Sequence, residues 1–406
     1  MPVDTASLFS VSGPARSERV AGRRAITVRE SGDTAVFRDL REEWTGLLQE
    51  STANKLFLSW EWQYTWWETW ASRLGLRLIL LRAYSDDRLV GIAPLYVDNL
   101  RLCCGLVVRR VQFVGNAWGR VDTVRTEYLE FITARAGAAE ICSAFLDHLS
   151  GMRCWNEFVI RDLQKGSETY QQINRHAREY RWYMDVPEEE RGISIATDGA
   201  FNDYVQGLGR NTRLRLFNRR DYFRGLGSVE HVSASSSELG AYFSILNSFH
   251  RKRWGKDCFS GPSLDFHMAL IQRLGRQQDY RLDCFKVDGK PVSILYNLFA
   301  GNIVFNLQSG FIQDFDRKLS LGTLHMGYAI EDAFKDPLRT EFDLLAGSGK
   351  REFYKSKYRG ETVEFVTLRI TRSHLLNVWY RTKRMLPASI KRGLHKVRRF
   401  FRMRGN

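Results

Sequence analysis

The sequence of 406 residues is poor in the features that mark membrane, secreted and disulfide-rich proteins. Its longest apolar runs, such as Leu78–Leu81 and Val292–Ala300, fall far short of the roughly 20 residues that a membrane-spanning helix needs. Met1–Arg24 lacks the apolar centre of a secretory signal. The six cysteines form no CxxC pair, so we expect reduced, mostly buried thiols in a cytoplasmic protein rather than disulfides or a zinc site.

Several catalytic motifs are also missing. The sequence contains no GxxxxGK[ST], HExxH or GxSxG motif and no GxGxxG that opens a helix. Its eight histidines include no HxH or HxxxH pair. A phosphate-loop nucleotidase, a zinc hydrolase and a serine hydrolase of the usual type are therefore disfavoured, and no metal cofactor is expected.

Proline is scarce, with eight residues against eleven tryptophans, and aromatic residues make up 13% of the chain. Apolar residues account for 44% and charged residues for 26%, which is typical of globular domains rather than of disorder. At roughly 100–200 residues per domain, the length predicts two or three domains or one duplicated unit.

The net charge of +15 is concentrated at the C-terminus. Arg381–Asn406 holds ten basic residues and no acidic one, so the remainder carries 15 − 10 = +5. A basic tail on a mildly basic body predicts a local anionic partner, either a membrane surface or a polyanion. The apolar residues of the tail have helical spacing, which predicts an amphipathic helix lying on the membrane. They are Leu386, Ile390, Leu394, Val397 and Phe401.

Hydrophobic periodicity predicts an α+β protein in which one order of elements occurs twice. The first copy is predicted as a strand at Ala25–Arg29, helices at Val36–Gln49 and Trp60–Leu74, strands at Arg77–Tyr84, Arg88–Val97, Val107–Val114 and Glu127–Thr133, a helix at Ala138–Leu149 and a strand at Glu157–Leu163. The second is predicted as helices at Ser237–Trp254 and Leu264–Leu274, strands at Tyr280–Val287, Lys290–Ala300 and Asn302–Ser309, a helix at Leu321–Phe334 and strands at Glu341–Leu345 and Glu361–Ile370. We therefore predict a flexible leader (1–24), two units (25–190 and 191–370) and a basic tail (371–406).

Short motifs follow one another in a fixed order over roughly residues 25–370. They are Phe57–Trp62, Val90–Leu95, Phe249–Trp254, Asp288–Val292, Gly310-Phe311, Leu319–Gly322, Phe342–Gly347 and Tyr354-Lys355. The ordered set resembles the acetyltransferase-like domain of bacterial cellulose- and exopolysaccharide-biosynthesis proteins. That family belongs to the GNAT superfamily and is similar to the Fem peptidyltransferases, which contain two GNAT-like units. This chain departs from the family at Leu321, where proline is common, and near Ser348, where glutamate is frequent.

The resemblance implies two tandem GNAT-like units, each a mixed, mostly antiparallel sheet flanked by helices, with an acyl-CoA donor in the second. Its pantetheine would lie between two splayed strands, and its pyrophosphate would meet the start of the following helix, where free N–H groups favour phosphate. The implied cofactor-binding residues are Gln308, Ser309, Ser320 and Gly322. Ser320 has a second interpretation, that it only caps the helix.

Four residues are candidates for catalysis. In the Fem-like pattern, Lys355 would stabilise the oxyanion of the tetrahedral intermediate, although it also reads as a surface lysine. Tyr354 would protonate the leaving thiolate, as a tyrosine does in many GNAT enzymes, or it packs in the core. Asp343 and His250 are alternative bases for the incoming amine or hydroxyl. Asp343 equally fits a structural hydrogen bond, and His250 a partly buried helical position.

Substrate-binding candidates fall in two basic segments. Arg253 and Trp254 match a family pair at a helix end, where a guanidinium suits an anion and an indole suits a sugar face. Asn211, Arg213 and Arg215 match a basic family segment that would steer an anionic acceptor. A helix-terminal arginine and a solvated helix face are the simpler alternatives. The tryptophans of Trp60–Trp70 are interpreted as core.

These inferences predict a cytoplasmic N- or O-acyltransferase, peripheral at the inner face of the membrane through its tail. It would move an acyl group, chiefly acetyl, from acyl-CoA to an amine or hydroxyl of a sugar or cell-envelope precursor. A Fem-type aminoacyltransferase that uses charged tRNA is one alternative. A non-catalytic partner of a polysaccharide synthase is another, because the Gly-rich pyrophosphate loop of GNAT enzymes is poorly matched.

Overall fold

The computed structural model describes residues 25–101, 107–121, 123–275, 279–347 and 354–385. Its helices are α1 (Thr34–Asp39), α2 (Arg41–Glu50), α3 (Trp60–Leu74), α4 (Ala138–Gly151), α5 (Glu168–Glu179), α6 (Phe201–Gly207), α7 (Arg210–Arg213), α8 (Arg220–Arg224), α9 (Leu239–Trp254), α10 (Pro262–Leu274), α11 (Leu321–Lys335) and α12 (His374–Met385). A π-helical turn, Leu214–Asn218, joins α7 to α8.

The strands are β1 (Ile26–Ser31), β2 (Arg77–Ser85), β3 (Arg88–Arg101), β4 (Val107–Phe113), β5 (Ile132–Thr133), β6 (Glu157–Gln164), β7 (Tyr183–Ala196), β8 (Val229–Ser233), β9 (Tyr280–Val287), β10 (Lys290–Ala300), β11 (Ile303–Phe311), β12 (Glu341–Gly347) and β13 (Glu361–Thr371). Within the described residues, these thirteen strands form one mixed sheet. Its order is β1-β2-β3-β4-β6-β13-β7-β12-β11-β10-β9-β8, and the short β5 pairs with β3 off this path.

The strand order is symmetric about the central pair β13–β7. On one side lie β1–β6, which we call the first half, and on the other lie β8–β12, which we call the second half. The late strand β13 pairs with β6 of the first half, and the earlier strand β7 pairs with β12 of the second. The predicted boundary at residues 190/191 falls inside β7 (Tyr183–Ala196), so the central strands join the halves. The division into domains stays a prediction.

Each half contains one parallel strand pair that ends early. In the first half, β4 and β6 are paired only through Arg110–Gln112 and Glu157–Val159. In the second half, β11 and β12 are paired only through Ile303–Phe305 and Glu341–Asp343. Beyond these three residue pairs the two strands of each pair no longer bond, and a wedge opens between them.

Helix α3 shows how local sequence fixes an element that joins the halves. The Ser59 hydroxyl accepts the Trp62 N–H at 3.2 Å, and Gly75 ends the helix at φ 60°, a conformation that glycine adopts readily. All five tryptophans of α3 are buried, as predicted. The Trp62 ring meets Phe266 of α10 edge-on at 5.0 Å, so the aromatic face packs across the two halves.

Some predicted elements differ from the structure. Val36–Gln49 is two helices that break at Leu40, because its backbone leaves the helical region there. Glu127–Thr133 was predicted as a strand, but only Ile132–Thr133 forms one, and the preceding residues cross the sheet as an irregular segment. Helix α5 and strands β7 and β8 were not predicted, although the buried residues of α5 recur with helical spacing.

Helix α12 lies within the predicted tail and packs on the first half. Leu376 and Tyr380 are buried in a cluster with Leu100 and Val108. The leader (1–24) and the predicted membrane helix at residues 386–406 lie outside the described residues. Of the helices that the structure describes, none is both long and apolar enough to cross a membrane.

Candidate functional site

The wedge of the second half contains a strained turn of the backbone in β12. The register of β12 against β7 shifts between Asp343 and Ala346, which indicates a bulge. Within it Leu345 has φ 61°, a conformation that costs a non-glycine residue free energy and persists only where its surroundings hold it. The Asp343 carboxylate accepts the Leu345 N–H at 2.6 Å and so helps to hold the bulge.

Lys355 is bound to the carbonyl oxygens of this bulge. Its ammonium donates to the carbonyls of Leu345 and Ala346, each at 2.8 Å. The side chain is half-buried rather than extended into solvent. The structure therefore places Lys355 as an oriented cation at the wedge rather than as a solvated surface lysine, and its role in catalysis stays a prediction.

A segment of the first half, Arg125–Phe131, crosses the central strands and completes the bulge. We call it the strap. The Tyr128 hydroxyl donates to the Asp343 carboxylate at 2.6 Å, and the Glu127 carboxylate accepts the Ala346 N–H at 2.7 Å. Arg125 lies 3.6 Å from the Glu127 carboxylate. Strap residues from one half therefore fix the geometry of the other.

The charge state of the buried carboxyls follows from their surroundings. Burial raises the pKa of Asp343 to about 7, and the hydrogen bond from Tyr128 partly offsets that effect. Glu127 and Glu341 raise it further by like-charge repulsion. Burial also raises the pKa of Glu127, while Arg125 and Lys355 favour its ionised form. The pKa of Tyr128 is raised by burial and by Asp343, so its hydroxyl remains a donor.

A pocket of about 370 Å³ lies beside the wedge at the start of α11. It brings together three segments that are distant in sequence. The lining residues are Gly209, Arg210, Asn211, Thr212, Arg215, Thr323, Tyr354, Lys357 and Tyr358. The described lining includes three cationic side chains and no carboxylate, which is the composition that an anionic ligand requires.

Tyr354 is 40% exposed and lies in a chain of hydroxyl groups at this pocket. Its Oη is 2.6 Å from the Tyr358 Oη and 3.3 Å from the Thr323 Oγ1. The Ser320 hydroxyl lies 3.1 Å from the same Thr323 oxygen. Ser320 occupies the N-cap position but its side chain makes no cap hydrogen bond to the described backbone, so the capping alternative is not what the structure shows.

Gly322, in the first turn of α11, packs against the ring of Phe311. A Cβ at position 322 would come within 2.3 Å of the Phe311 ring, so the glycine permits close packing of α11 on β11. Gly322 is itself buried, which makes it a packing residue rather than a direct ligand of an anion. The Arg253 guanidinium lies 4.9 Å from the Phe311 ring and 4.8 Å from Trp254, whose side chain is 58% exposed.

The remaining candidates lie along β11 and the basic segment. His250 Nε2 is 2.9 Å from the Ser309 carbonyl, an arrangement in which that nitrogen carries the proton and donates. This geometry does not suit Nε2 to act as a base. Gln308 accepts the Ser309 N–H at 3.1 Å. Arg213 bonds the Gln206 carbonyl at 3.3 Å and does not line the pocket, unlike Asn211 and Arg215.

Sequence reasoning missed the strap and most of the pocket hydroxyls. Glu127 and Tyr128 lie in a stretch predicted as an ordinary strand, and Arg125 lies two residues before it. The available signal was its polarity, because three charged residues within Arg125–Glu130 are unusual for a buried strand. Among the described residues, no group of three or more histidine, cysteine or acidic side chains could hold a metal ion.

Residues 210–356 match the family model described as an acetyltransferase (GNAT) domain. This span contains the wedge of the second half and most of the residues that line the pocket. No curated protein sequence matches the chain. The match supports acyl transfer in general and leaves the cellulose- and exopolysaccharide-biosynthesis family open.

The structure of FemX matches at 12% sequence identity and TM-score 0.54, and the match covers 83% of this chain and 96% of FemX. A conserved protein of unknown function from Bacteroides thetaiotaomicron VPI-5482 matches at 11% identity and TM-score 0.48 over 85% of this chain and all of that one (100%). A tandem GNAT protein from the clavulanic acid biosynthesis pathway matches at 12% identity and TM-score 0.42 over 85% and 98%. The family match and the likeness to FemX, together with the observed sheet, show a GNAT-like fold with a mixed sheet flanked by helices, and the predicted fold class is confirmed.

Proposed function

We propose that the protein is an acyltransferase that moves an acyl group, chiefly acetyl, from acyl-CoA to an amine or hydroxyl. The observation that carries this proposal is the oriented Lys355 ammonium, held by two carbonyls of the β12 bulge at the wedge of a GNAT-like half. A fixed cation at that position suits the negative charge that develops on a thioester carbonyl oxygen during attack.

The residues around the wedge fit the parts of an acyl-CoA. Strands β11 and β12 stop pairing after three residues, which leaves room for an extended pantetheine arm. The adjoining pocket offers Arg210, Arg215 and Lys357 to phosphate groups, with the hydroxyls of Thr323 and Tyr354 beside them. These side chains take the place of the missing Gly-rich loop in the proposed donor site.

Direct attack accounts for the reaction without a covalent enzyme intermediate. The acceptor nitrogen or oxygen forms a bond to the acyl carbon and releases its proton to water, and the carbon–sulfur bond then breaks. Lys355 stabilises the intermediate oxyanion, and Tyr354, exposed at the pocket and bonded to Tyr358, supplies the proton that the departing thiolate takes up. Tyr354 later regains from water the proton that it gives to the thiolate. Asp343 holds the bulge through Leu345, so it acts as a positioning residue rather than as the base.

The acceptor is a sugar or a cell-envelope precursor in this proposal. Trp254 is exposed beside Arg253 at the end of α9, and an indole face with a neighbouring guanidinium suits a sugar that carries an anionic group. Arg253 packs on the Phe311 ring, which lies against Gly322 at the start of α11, so this pair is adjacent to the proposed donor site.

Calorimetry of the full chain with acetyl-CoA and with free CoA tests the donor. We expect both to bind, and we expect Arg215→Ala to weaken binding roughly tenfold because it removes one charge-assisted contact to phosphate. Arg224→Ala is the matched control, since Arg224 pairs with Asp221 on an exposed surface outside the pocket. Failure of the wild-type chain to bind either ligand at millimolar concentration would overturn the proposed function.

A further inference from the structure

One face of helix α12 packs on the body. Leu376 and Tyr380, four residues apart, are buried in a cluster with Leu100 and Val108. The Arg369 guanidinium lies 3.7 Å from the Tyr380 ring and adds a second contact to the same face. Because these contacts fix the rotation of the helix about its axis, they also determine which residues point away from the body.

The outward face of α12 is apolar. Leu375 is 80% exposed, Val378 44% and Met385 84%, and their spacings of three and seven residues place them on one side of the helix. Val107 and Met184 are also exposed, at 47% and 40%. They lie near the beginnings of β4 and β7, at the end of the sheet that α12 covers. Clustered exposed apolar side chains of this kind mark an interaction surface.

The charge around this surface is mainly positive, and its acidic residue Asp185, beside Met184, pairs with Arg384 of α12 at 3.2 Å. No acidic residue follows Glu364 in the sequence, and Arg381–Asn406 contains ten basic residues. Arg381 and Arg384 are exposed on α12 itself. An apolar stripe flanked by cations complements an anionic lipid surface, where side chains such as Leu375 enter the interface and the cations meet phosphate. Nucleic acid would use the cations but would leave the apolar stripe in water.

We infer that the outward face of α12, defined by Leu375, Val378 and Met385, docks on an anionic membrane surface. The apolar stripe contributes burial at the headgroup boundary, and the exposed Arg381 contributes attraction to the lipid phosphates. The basic residues that follow Met385 in the sequence add to that attraction wherever they reach the surface.

Strand directions relate this surface to the candidate site. Strand β12 is antiparallel to β7, so its C-terminal end, with the bulge that binds Lys355, points to the end of the sheet at which β7 begins. That end also carries α12, because Tyr183 of β7 bonds His374 at 3.0 Å. Docking would therefore bring the open end of the wedge towards the lipid surface. This orientation rests on the proposed function, whereas the docking itself does not.

Co-sedimentation of the full chain with vesicles of phosphatidylglycerol and phosphatidylcholine tests the inference. We expect binding that weakens with added salt and is lost on pure phosphatidylcholine. The combined variant Leu375→Ser, Val378→Ser and Met385→Ser should lower the partition coefficient roughly tenfold or more, since three apolar contacts are lost. The matched control carries Tyr222→Ser, Met268→Ser and Leu338→Ser, which are also exposed apolar residues but lie on α8, on α10 and in the loop after α11, and it should bind like the wild type.

Equal binding of the α12 variant and the wild type would overturn the inference. A wild-type dimer in light scattering that becomes a monomer in the α12 variant would also overturn it, because the stripe would then cover a second copy of the chain. Displacement from vesicles by RNA, with no effect of the serine substitutions on RNA binding, would assign the cations to nucleic acid instead. Calorimetry with acetyl-CoA measures donor binding independently of vesicle binding. If the wild-type chain binds vesicles but not acetyl-CoA, only the proposed function is contradicted.

Discussion

The two wedges of the sheet have the same backbone plan and opposite contents. In the first half, the strap lies in the wedge: the Leu129 N–H donates to the Asp162 carbonyl at 3.3 Å, and the Thr126 hydroxyl donates to the Gly115 carbonyl at 2.6 Å. Leu129 and Thr126 are fully buried. In the second half, the β12 bulge is held differently. Apart from the ladder with β7, the hydrogen bonds that the described residues make to the bulge come from side chains, among them that of Lys355.

The bases of the wedges differ as well. Arg110 and Glu157 face each other across β4 and β6 as a buried ion pair at 2.6 Å. At the corresponding positions of β11 and β12 stand Ile303 and Glu341, and Glu341 accepts a hydrogen bond from the Ser194 hydroxyl instead. The wedge of the first half is closed by the Arg110–Glu157 ion pair and by the strap, whereas the wedge of the second half presents polar side chains beside a pocket.

Both wedges also contain a bulge with a residue in the left-handed region. Asp162 of β6 has φ 53° and Leu345 of β12 has φ 61°. The Asp162 carboxylate is held by Arg125 at 2.5 Å and 2.7 Å, which neutralises the bulge of the first half. The similar backbone of the two halves supplies an opening in each. The side chains within each opening determine whether it supports the fold or is available for chemistry.

The largest expected effect is on stability, and it distinguishes the strand positions at which the two wedges begin. Glu157→Gln leaves Arg110 as a buried charge without its partner, so we expect the free energy of unfolding to fall by about 3–5 kcal/mol. Glu341→Gln keeps an acceptor for Ser194 and should cost less than about 1 kcal/mol. Denaturant titration of both variants measures the difference, and equal losses would show that the two bases are alike in energy.

The next effect is on turnover and concerns only the open wedge. Lys355→Ala removes the cation from the bulge, and loss of one group that stabilises an oxyanion typically costs on the order of 100–1,000-fold in kcat with little change in KM. Lys335→Ala is the control, because Lys335 pairs with Glu331 on the exposed side of α11. A folded Lys355→Ala variant with unchanged kcat would assign the lysine a structural role alone.

The smallest expected effect tests how the strap of the first half controls the second. Tyr128→Phe removes the hydrogen bond that favours ionised Asp343, whose pKa is about 7. The pKa of Asp343 should rise, so the acid limb of the pH–kcat profile should move upward by about one pH unit. Activity would fall near pH 7 and recover at higher pH, where Asp343 is ionised in both proteins.

Tyr96→Phe provides the matched control for this shift. The Tyr96 hydroxyl donates to the Asn116 carbonyl at 2.6 Å in the first half, so its loss should lower stability by about 1 kcal/mol without moving the acid limb. If Tyr96→Phe and Tyr128→Phe give the same pH profile, the strap only supports the fold.

Much of the local structure could be read from the sequence because its causes are local. The hairpin at Asp288-Gly289, the cap at Ser59 and the tryptophan face of α3 each follow from residues within a few positions of one another. The motif order pointed to the GNAT-like fold, which the comparisons confirm. Of the candidate residues, Asn211, Arg215 and Tyr354 line one pocket, and their roles stay predictions.

The pairing of the strap with the β12 bulge could not be predicted in this way. Tyr128 and Asp343 are separated by 215 positions, and their hydrogen bond exists only because β7 and β13 join the two halves in one sheet. The positive φ of Leu345 likewise has no local sequence cause, because leucine disfavours it and the contacts of Asp343, Glu127 and Lys355 impose it. The sequence by itself determined the elements, their order and the charged tail, since these depend on short-range periodicity and composition. Only the tertiary structure decided which wedge is filled and which carries Lys355, because that choice depends on buried contacts between residues far apart in the chain.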